Sequence, residues 1–184
     1  MATREIVTLP DPVLRQKARK VPAVTEDIRS LIDDMVETMR AAPGVGLAAP
    51  QVGDSRRVIV VEYAEPPEQE GEPARPPKLF TLVNPEIVRH APDQVKGVEG
   101  CLSIPGYVAY VTRRERVWVV AQDRHGKKIK VAGSGLLGRA LQHELDHLEG
   151  KLYIDYLDSM DELIPVGQLE DEDEETQESL RTLA

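Results

Sequence analysis

Apolar positions take a helical period between residues 28 and 39, where Ile28, Leu31, Ile32, Met35, Val36 and Met39 recur three and four apart. That spacing puts all six on one face and predicts an amphipathic helix from about Thr25, a candidate N-cap, to a stop at Pro43-Gly44. A second stripe, Leu137, Leu141, Leu145 and Leu148, predicts a helix opened by Ser134 and closed by Gly150 as its left-handed stop. Between the two, the pattern changes to alternation and β-branched runs. Val58 to Tyr63, Lys78 to Asn84, Glu86 to His90, Tyr107 to Thr112, Arg116 to Asp123 and Lys128 to Ala132 read as extended, the last two joined by the turn Arg124-His125-Gly126-Lys127. Residues 64–77 contain five prolines and four glutamates, a composition that cannot pack and reads as an exposed loop. No internal repeat is present. The expected fold class is α+β, with antiparallel strands packed around the second helix and the N-terminal helix alongside.

Length and charge refine this picture. A chain of 184 residues fits one domain that can bury about two-thirds of its unfolded surface. The net charge of -9 is local: from Asp158 onward there are ten acidic residues and one arginine, which leaves 22 acidic against 22 basic residues before it. The expected division is therefore a folded body over residues 1–157 and an acidic, disordered tail over 158–184 that includes the run Glu170 to Glu175. A neutral body and an aromatic content of 4% argue against a nucleic-acid surface. No apolar run reaches membrane length and no hydrophobic signal core opens the chain, so a cytoplasmic protein without membrane contact is expected. The single cysteine agrees with a reducing compartment. His90, at a strand end, and His125, in a turn, read as surface residues.

The candidate chemistry lies on the second helix. His143-Glu144-Leu145-Asp146-His147 places two imidazoles four residues apart, so both point the same way and can grip one metal ion beside a carboxylate. Leu136 and Ala140 extend the row of His143 and His147 as a small apolar wall. A third ligand is needed, and Cys101, set among the glycines of Gly97-Val98-Glu99-Gly100-Cys101, is the best candidate. Three protein ligands leave one position open, as in catalytic sites, and ligand preference alone suggests zinc. Gly44-Val45-Gly46 lacks the strand before it and the lysine after it that a phosphate cradle requires, yet the run ends at Gln51, a neutral amide able to stabilise an oxyanion. From the residues alone, a zinc endopeptidase and a non-catalytic module with a structural metal stay open. A structural site would usually close with four protein ligands, which would leave Glu144 and Gln51 without a role.

These pieces together resemble the peptide deformylase family, through GVGLAAPQ (Gly44 to Gln51), EGCLS (Glu99 to Ser103) and QHELDH (Gln142 to His147), in the family's order. Pro10 to Arg15 and Tyr153 to Tyr156 extend the resemblance over most of the first 157 residues. It implies removal of the formyl group from the formyl-methionine of nascent polypeptides, with release of formate by attack of a metal-bound hydroxide. The implied ligands are Cys101, His143 and His147, holding ferrous iron, with zinc, nickel or cobalt as occupants of a purified sample. Glu144 is the implied general base and acid, and the Gln51 amide and the Leu102 backbone N–H are the implied oxyanion donors. Val45, Gly46 and Gly100 are the expected backbone contacts to an extended peptide, with Leu136, Ala140 and the His143 ring as the methionine pocket. Gln142 and Asp146 read as polar residues outside the chemistry, and Arg139 as a solvated helix arginine, with the pocket rim as its other reading. Val108 stands where some relatives carry a basic residue. Relatives that end in a basic helix can approach the ribosome with it; the acidic end here implies no more than a transient encounter. A monomer is expected.

Overall fold

The computed structural model describes residues 2–42, 44–64 and 75–168. Most of the expected Pro/Glu-rich loop, residues 65–74, and the acidic run Glu170 to Glu175 lie outside the described residues. The first long element is α1, Glu26–Ala41, with Thr25 in the N-cap position but no side-chain bond to the helix end. Then come β1 (Gly46–Ala48), β2 (Val58–Tyr63), β3 (Lys78–His90), β4 (Gln94–Cys101), β5 (Ile104–Arg114), β6 (Arg116–Gln122) and β7 (Lys128–Ser134). Helix α2 spans Gly135–Leu148, and the short strand β8 is Ile164–Pro165. The class is α+β, with every strand pairing inside the two sheets antiparallel.

One sheet has the order β1-β2-β3-β6-β7 and the other β4-β5-β8. The continuous apolar run of β2 follows from burial on both faces of the larger sheet. Val58 and Val60 join Ile28, Leu31, Ile32, Met35 and Met39 of α1, whereas Ile59 and Val61 join Leu137, Leu141, Leu145 and Leu148 of α2. Truncating a fully buried member such as Leu141 to alanine would cost about 2–5 kcal/mol. The reading of Gly150 as a left-handed stop holds, with φ at 72° and the Arg15 carbonyl only 2.7 Å from where a Cβ would stand.

Three expectations change. Lys78 to Asn84 and Glu86 to His90 form one strand, interrupted by a register shift between Val83 and Glu86. Asn84, with φ at 51°, turns its amide away from the ladder to bridge the Val21 backbone, accepting from its N–H and donating to its carbonyl at 2.8 Å each. The glycine-rich segment before Cys101, not read as extended, forms β4, paired with β5 from Gln94↔Arg114 to Gly100↔Val108. The segment read as the start of the tail continues on the body as far as Gln168: Ile164 pairs with Val108, Pro165 pairs with Tyr107, and Leu163 packs on the cluster around Cys101. Among the described residues no helix is long and apolar enough to cross a membrane.

Candidate metal centre

Helix α2 lies between the two sheets. Its leucine stripe faces the larger sheet, which leaves the flank with Ala140, His143 and His147 for the junction with β4 and β5. Gln142 fixes the helix to β5, accepting from the Arg114 N–H at 3.0 Å and donating to the Arg114 carbonyl at 2.9 Å. It is buried, not an ordinary surface amide. Asp146 likewise accepts from Arg113 Nη1 at 2.5 Å and from the Tyr156 hydroxyl at 2.8 Å.

Cys101 at the end of β4 and the two histidines of α2 bring their donor atoms within 4.8 Å of one another, with Cys101 Sγ 3.3 Å from His147 Nε2. Bond lengths of about 2.3 Å to sulfur and about 2.1 Å to nitrogen at a tetrahedral angle would hold such atoms about 3.6 Å apart. The three residues therefore fit a single ion. Burial pushes His147 below the usual imidazole range, which favours the neutral form that can ligate. His143 and His147 meet edge to face at 5.0 Å, and the Tyr153 ring stacks on His143 at 6.3 Å.

Glu144 is buried, and Oε2 of its carboxylate has no hydrogen-bond partner among the described residues. Burial pushes its pKa up to about 7. The backbone of β1 crosses directly over it: a Cβ on Gly46 would lie 2.9 Å from both Cγ and Cδ of Glu144. Gln51 sits in a short 3-10 turn, Ala49–Val52, where its Oε1 accepts from the Ala48 N–H at 2.8 Å. This leaves Nε2 facing Ser103 Oγ at 3.3 Å and Cys101 Sγ at 3.5 Å.

The structure thus brings Gln51, Cys101, Leu102, His143 and Glu144 to one recess, together with Val45, Gly46, Gly100 and Ala140. His147 completes the donor group from beneath, whereas Leu136, half-buried one turn earlier, is not among the lining residues. Arg139 does line the recess, and its side chain is only 11% exposed, so its reading as a solvated residue is corrected. Val108 is buried in the sheet opposite Gly100.

Two further residues escaped the sequence reading. Glu99 is 1% exposed and accepts from both Arg113 and Nδ1 of His143, the latter at 3.0 Å. Burial alone would raise its pKa, yet the bonds from Arg113 and His143 hold the carboxyl well below the usual range. Arg113, the fork opposite it, is 5% exposed. The signal in the sequence was slight: an acid set between Gly97 and Gly100 beside the cysteine, and an arginine directly after the run Tyr107 to Thr112.

The family model for polypeptide deformylase matches residues 3–163. A peptide deformylase of Dehalococcoides mccartyi is 48% identical over 97% of this chain and 100% of that one. The crystal structure of the Ehrlichia chaffeensis peptide deformylase in complex with actinonin is 42% identical, with a TM-score of 0.79 over 88% of this chain and 92% of that one. A Met-Ala-Ser-bound class I type b peptide deformylase from Acinetobacter baumannii is 33% identical, with a TM-score of 0.76 over 85% of this chain and 99% of that one.

Proposed function

This chain belongs to the peptide deformylase family, metalloenzymes that remove the N-terminal formyl group of formyl-methionyl peptides, and we propose that the recess between β1, β4 and α2 carries that reaction. The observation that carries the assignment is the cluster of three metal-ligating atoms within 4.8 Å beside a buried glutamate and a fixed glutamine amide. Cys101, His143 and His147 would hold the ion, and ferrous iron is the native metal in this reading, with zinc, nickel or cobalt in its place after purification. When bound, the ion supplies a Lewis acid that polarises the formyl carbonyl and brings the pKa of water toward neutrality.

The chain's own groups do the rest. Glu144, with its pKa near neutrality, accepts a proton from water and delivers it to the departing amine, so that formate and a free amino terminus leave. Gln51 Nε2, held in place through Oε1, donates to the developing oxyanion together with the Leu102 backbone N–H. The amide cannot titrate, so this donor persists across pH. The glycines of the recess let a peptide lie close: Val45, Gly46 and Gly100 offer main-chain groups to an extended substrate, which tolerates varied downstream side chains. Ala140, the His143 ring and, at a remove, Leu136 form the wall for the methionine side chain. The catalytic unit of residues 1–157 carries residues 158–168 as an outer strap, with the acidic tail beyond them. The enzyme acts as a cytoplasmic monomer on formylated nascent chains.

The test is formate release. Anaerobically purified protein should liberate formate from formyl-Met-Ala-Ser, leave acetyl-Met-Ala-Ser untouched and cut no internal amide bond. The Met-Ala-Ser product is the peptide held by the Acinetobacter relative. Internal fragments without formate, seen by mass spectrometry, would replace this reading with an endopeptidase.

A further inference from the structure

Glu99 is saturated in a way that a single supporting partner would not achieve. Its Oε1 accepts from Arg113 Nε and from Arg139 Nη1, both at 2.8 Å. Its Oε2 accepts from Arg113 Nη2 at 2.8 Å and from His143 Nδ1 at 3.0 Å. A carboxylate offers about four acceptor positions, so all are taken and the group has no alternative orientation. The two donors from α2, Arg139 and His143, stand four residues apart and so lie one above the other on the same face of the helix. Arg139 also reaches three strand carbonyls: Nη1 donates to Val111 at 2.8 Å and to Gly97 at 3.3 Å, and Nη2 donates to Val95 at 3.0 Å. Its path requires glycine at 97, since a Cβ there would fall 2.7 Å from Nη2. The other ligand histidine has no such support: Nδ1 of His147 is buried without a hydrogen-bond partner among the described residues.

We propose that Arg139 is a positioning residue of the metal centre: it clamps α2 to β4 and β5 and locks the Glu99 carboxylate that orients His143. The proposal rests on the assignment of His143 as a metal ligand. With Nδ1–H directed at Glu99, Nε2 is the free donor atom of the ring, and the ring plane is set by the carboxylate. Arg113 alone grips Glu99 from β5. Besides the His143 imidazole itself, Arg139 is the side chain of α2 that reaches this carboxylate among the described residues, so it helps to fix the distance between the Cys101 strand and the histidine helix. Without it, Oε1 loses one of two buried donors, and the carboxylate gains freedom to turn away from Nδ1.

The experiment compares wild type with Arg139→Met, Arg139→Lys and Gly97→Ala, each exchanged into cobalt. Read out are the visible absorption of the cobalt-thiolate centre, metal retention against a competing chelator, and melting temperature of the metal-free protein. Removing an outer partner of a metal ligand typically weakens binding by about 10–100-fold, and that loss is expected for Arg139→Met, with an altered cobalt band. Arg139→Lys keeps one bond to Glu99 but not the three carbonyl contacts, so it should fall between. Gly97→Ala keeps the charge and displaces the guanidinium, so it should move the band in the same sense as Arg139→Met. An unchanged cobalt spectrum and chelator resistance in the variants, with only the melting temperature lowered, would overturn the proposal and leave Arg139 as packing. If Arg139→Met does not fold, the Lys and Gly97 variants decide it by the same two readouts. A wild-type protein that shows no cobalt-thiolate absorption would overturn the ligand assignment itself, which is a different result from equal spectra in wild type and variants.

Discussion

Gly46→Ala is the smallest change that should disable this centre without touching a ligand. Glycine at 46 is not demanded by its backbone, because β1 is ordinary extended strand paired with Val61. It is demanded by Glu144: the added methyl would stand 2.9 Å from Cγ and Cδ of that side chain and closer still to Oε1. Carbon–carbon contacts relax only near 3.5–4.0 Å, so the carboxylate must retreat by roughly 1 Å. Neither wall yields easily. The strand is tied at its neighbour by the Glu62 N–H donating to the Val45 carbonyl at 2.8 Å, and α2 is packed through Leu141 and Leu145 and pinned by Gln142. A displacement of that size at a reacting group costs on the order of 10²-fold in rate, which is about 2.7 kcal/mol of barrier. Overpacking adds about 1–3 kcal/mol of lost stability, so melting temperature should drop while the protein stays folded at assay temperature. Formate release from formyl-Met-Ala-Ser, measured with metal content held at the wild-type level, should show kcat reduced and metal retained. An unchanged kcat would refute the reasoning from contact geometry. A raised KM with kcat intact would instead make Gly46 a substrate contact alone.

Cys101→Ala removes one of three donors, so bound metal after desalting and formate release should vanish together; a variant that keeps its full metal would take Cys101 out of the ligand set. Gln51→Leu should leave metal content unchanged and lower kcat by about 10² to 10³, and near-normal turnover would contradict the role of its amide as an oxyanion donor.

How far the chain could be read from its letters follows from the range over which each signal acts. The helical stripes of α1 and α2 are local properties, and both helices stand where the periodicity put them, with Gly150 in the left-handed conformation expected of a stop. β2 begins and ends as read, because an unbroken β-branched run has few alternatives. β4 was missed because its glycines suggest a loop when read alone. Their reason lies forty residues away: Gly97 makes room for Arg139, a helix residue that the local pattern leaves in solvent. Gln142 and Asp146, read as polar residues outside the chemistry, owe their partners to the same long range. Each is polar on a helix, and each is buried or paired because β5 arrives with groups that need partners, the Arg114 backbone and the Arg113 guanidinium. The recess could be anticipated as a list of residue types, but the partners that hold those residues in place could not, since charge pairing across the fold has no sequence period.

Those partners also separate the work of the two buried glutamates. Glu99 and Glu144 are both nearly inaccessible and both lie beside His143. Burial acts on each in the same direction, against the charged form. Glu99 escapes it through two guanidinium groups and an imidazole, so it is held ionised and can only orient. Among the described residues Glu144 receives no arginine and one of its oxygens is unpartnered, and its pKa rises to about 7. A proton carrier must change state near working pH, and a group locked in one state cannot. The divergence of two carboxylates in one site therefore supports proton transfer by Glu144 and positioning by Glu99. A guanidinium paired with Glu144 would instead hold it in the ionised state and end its capacity to return the proton.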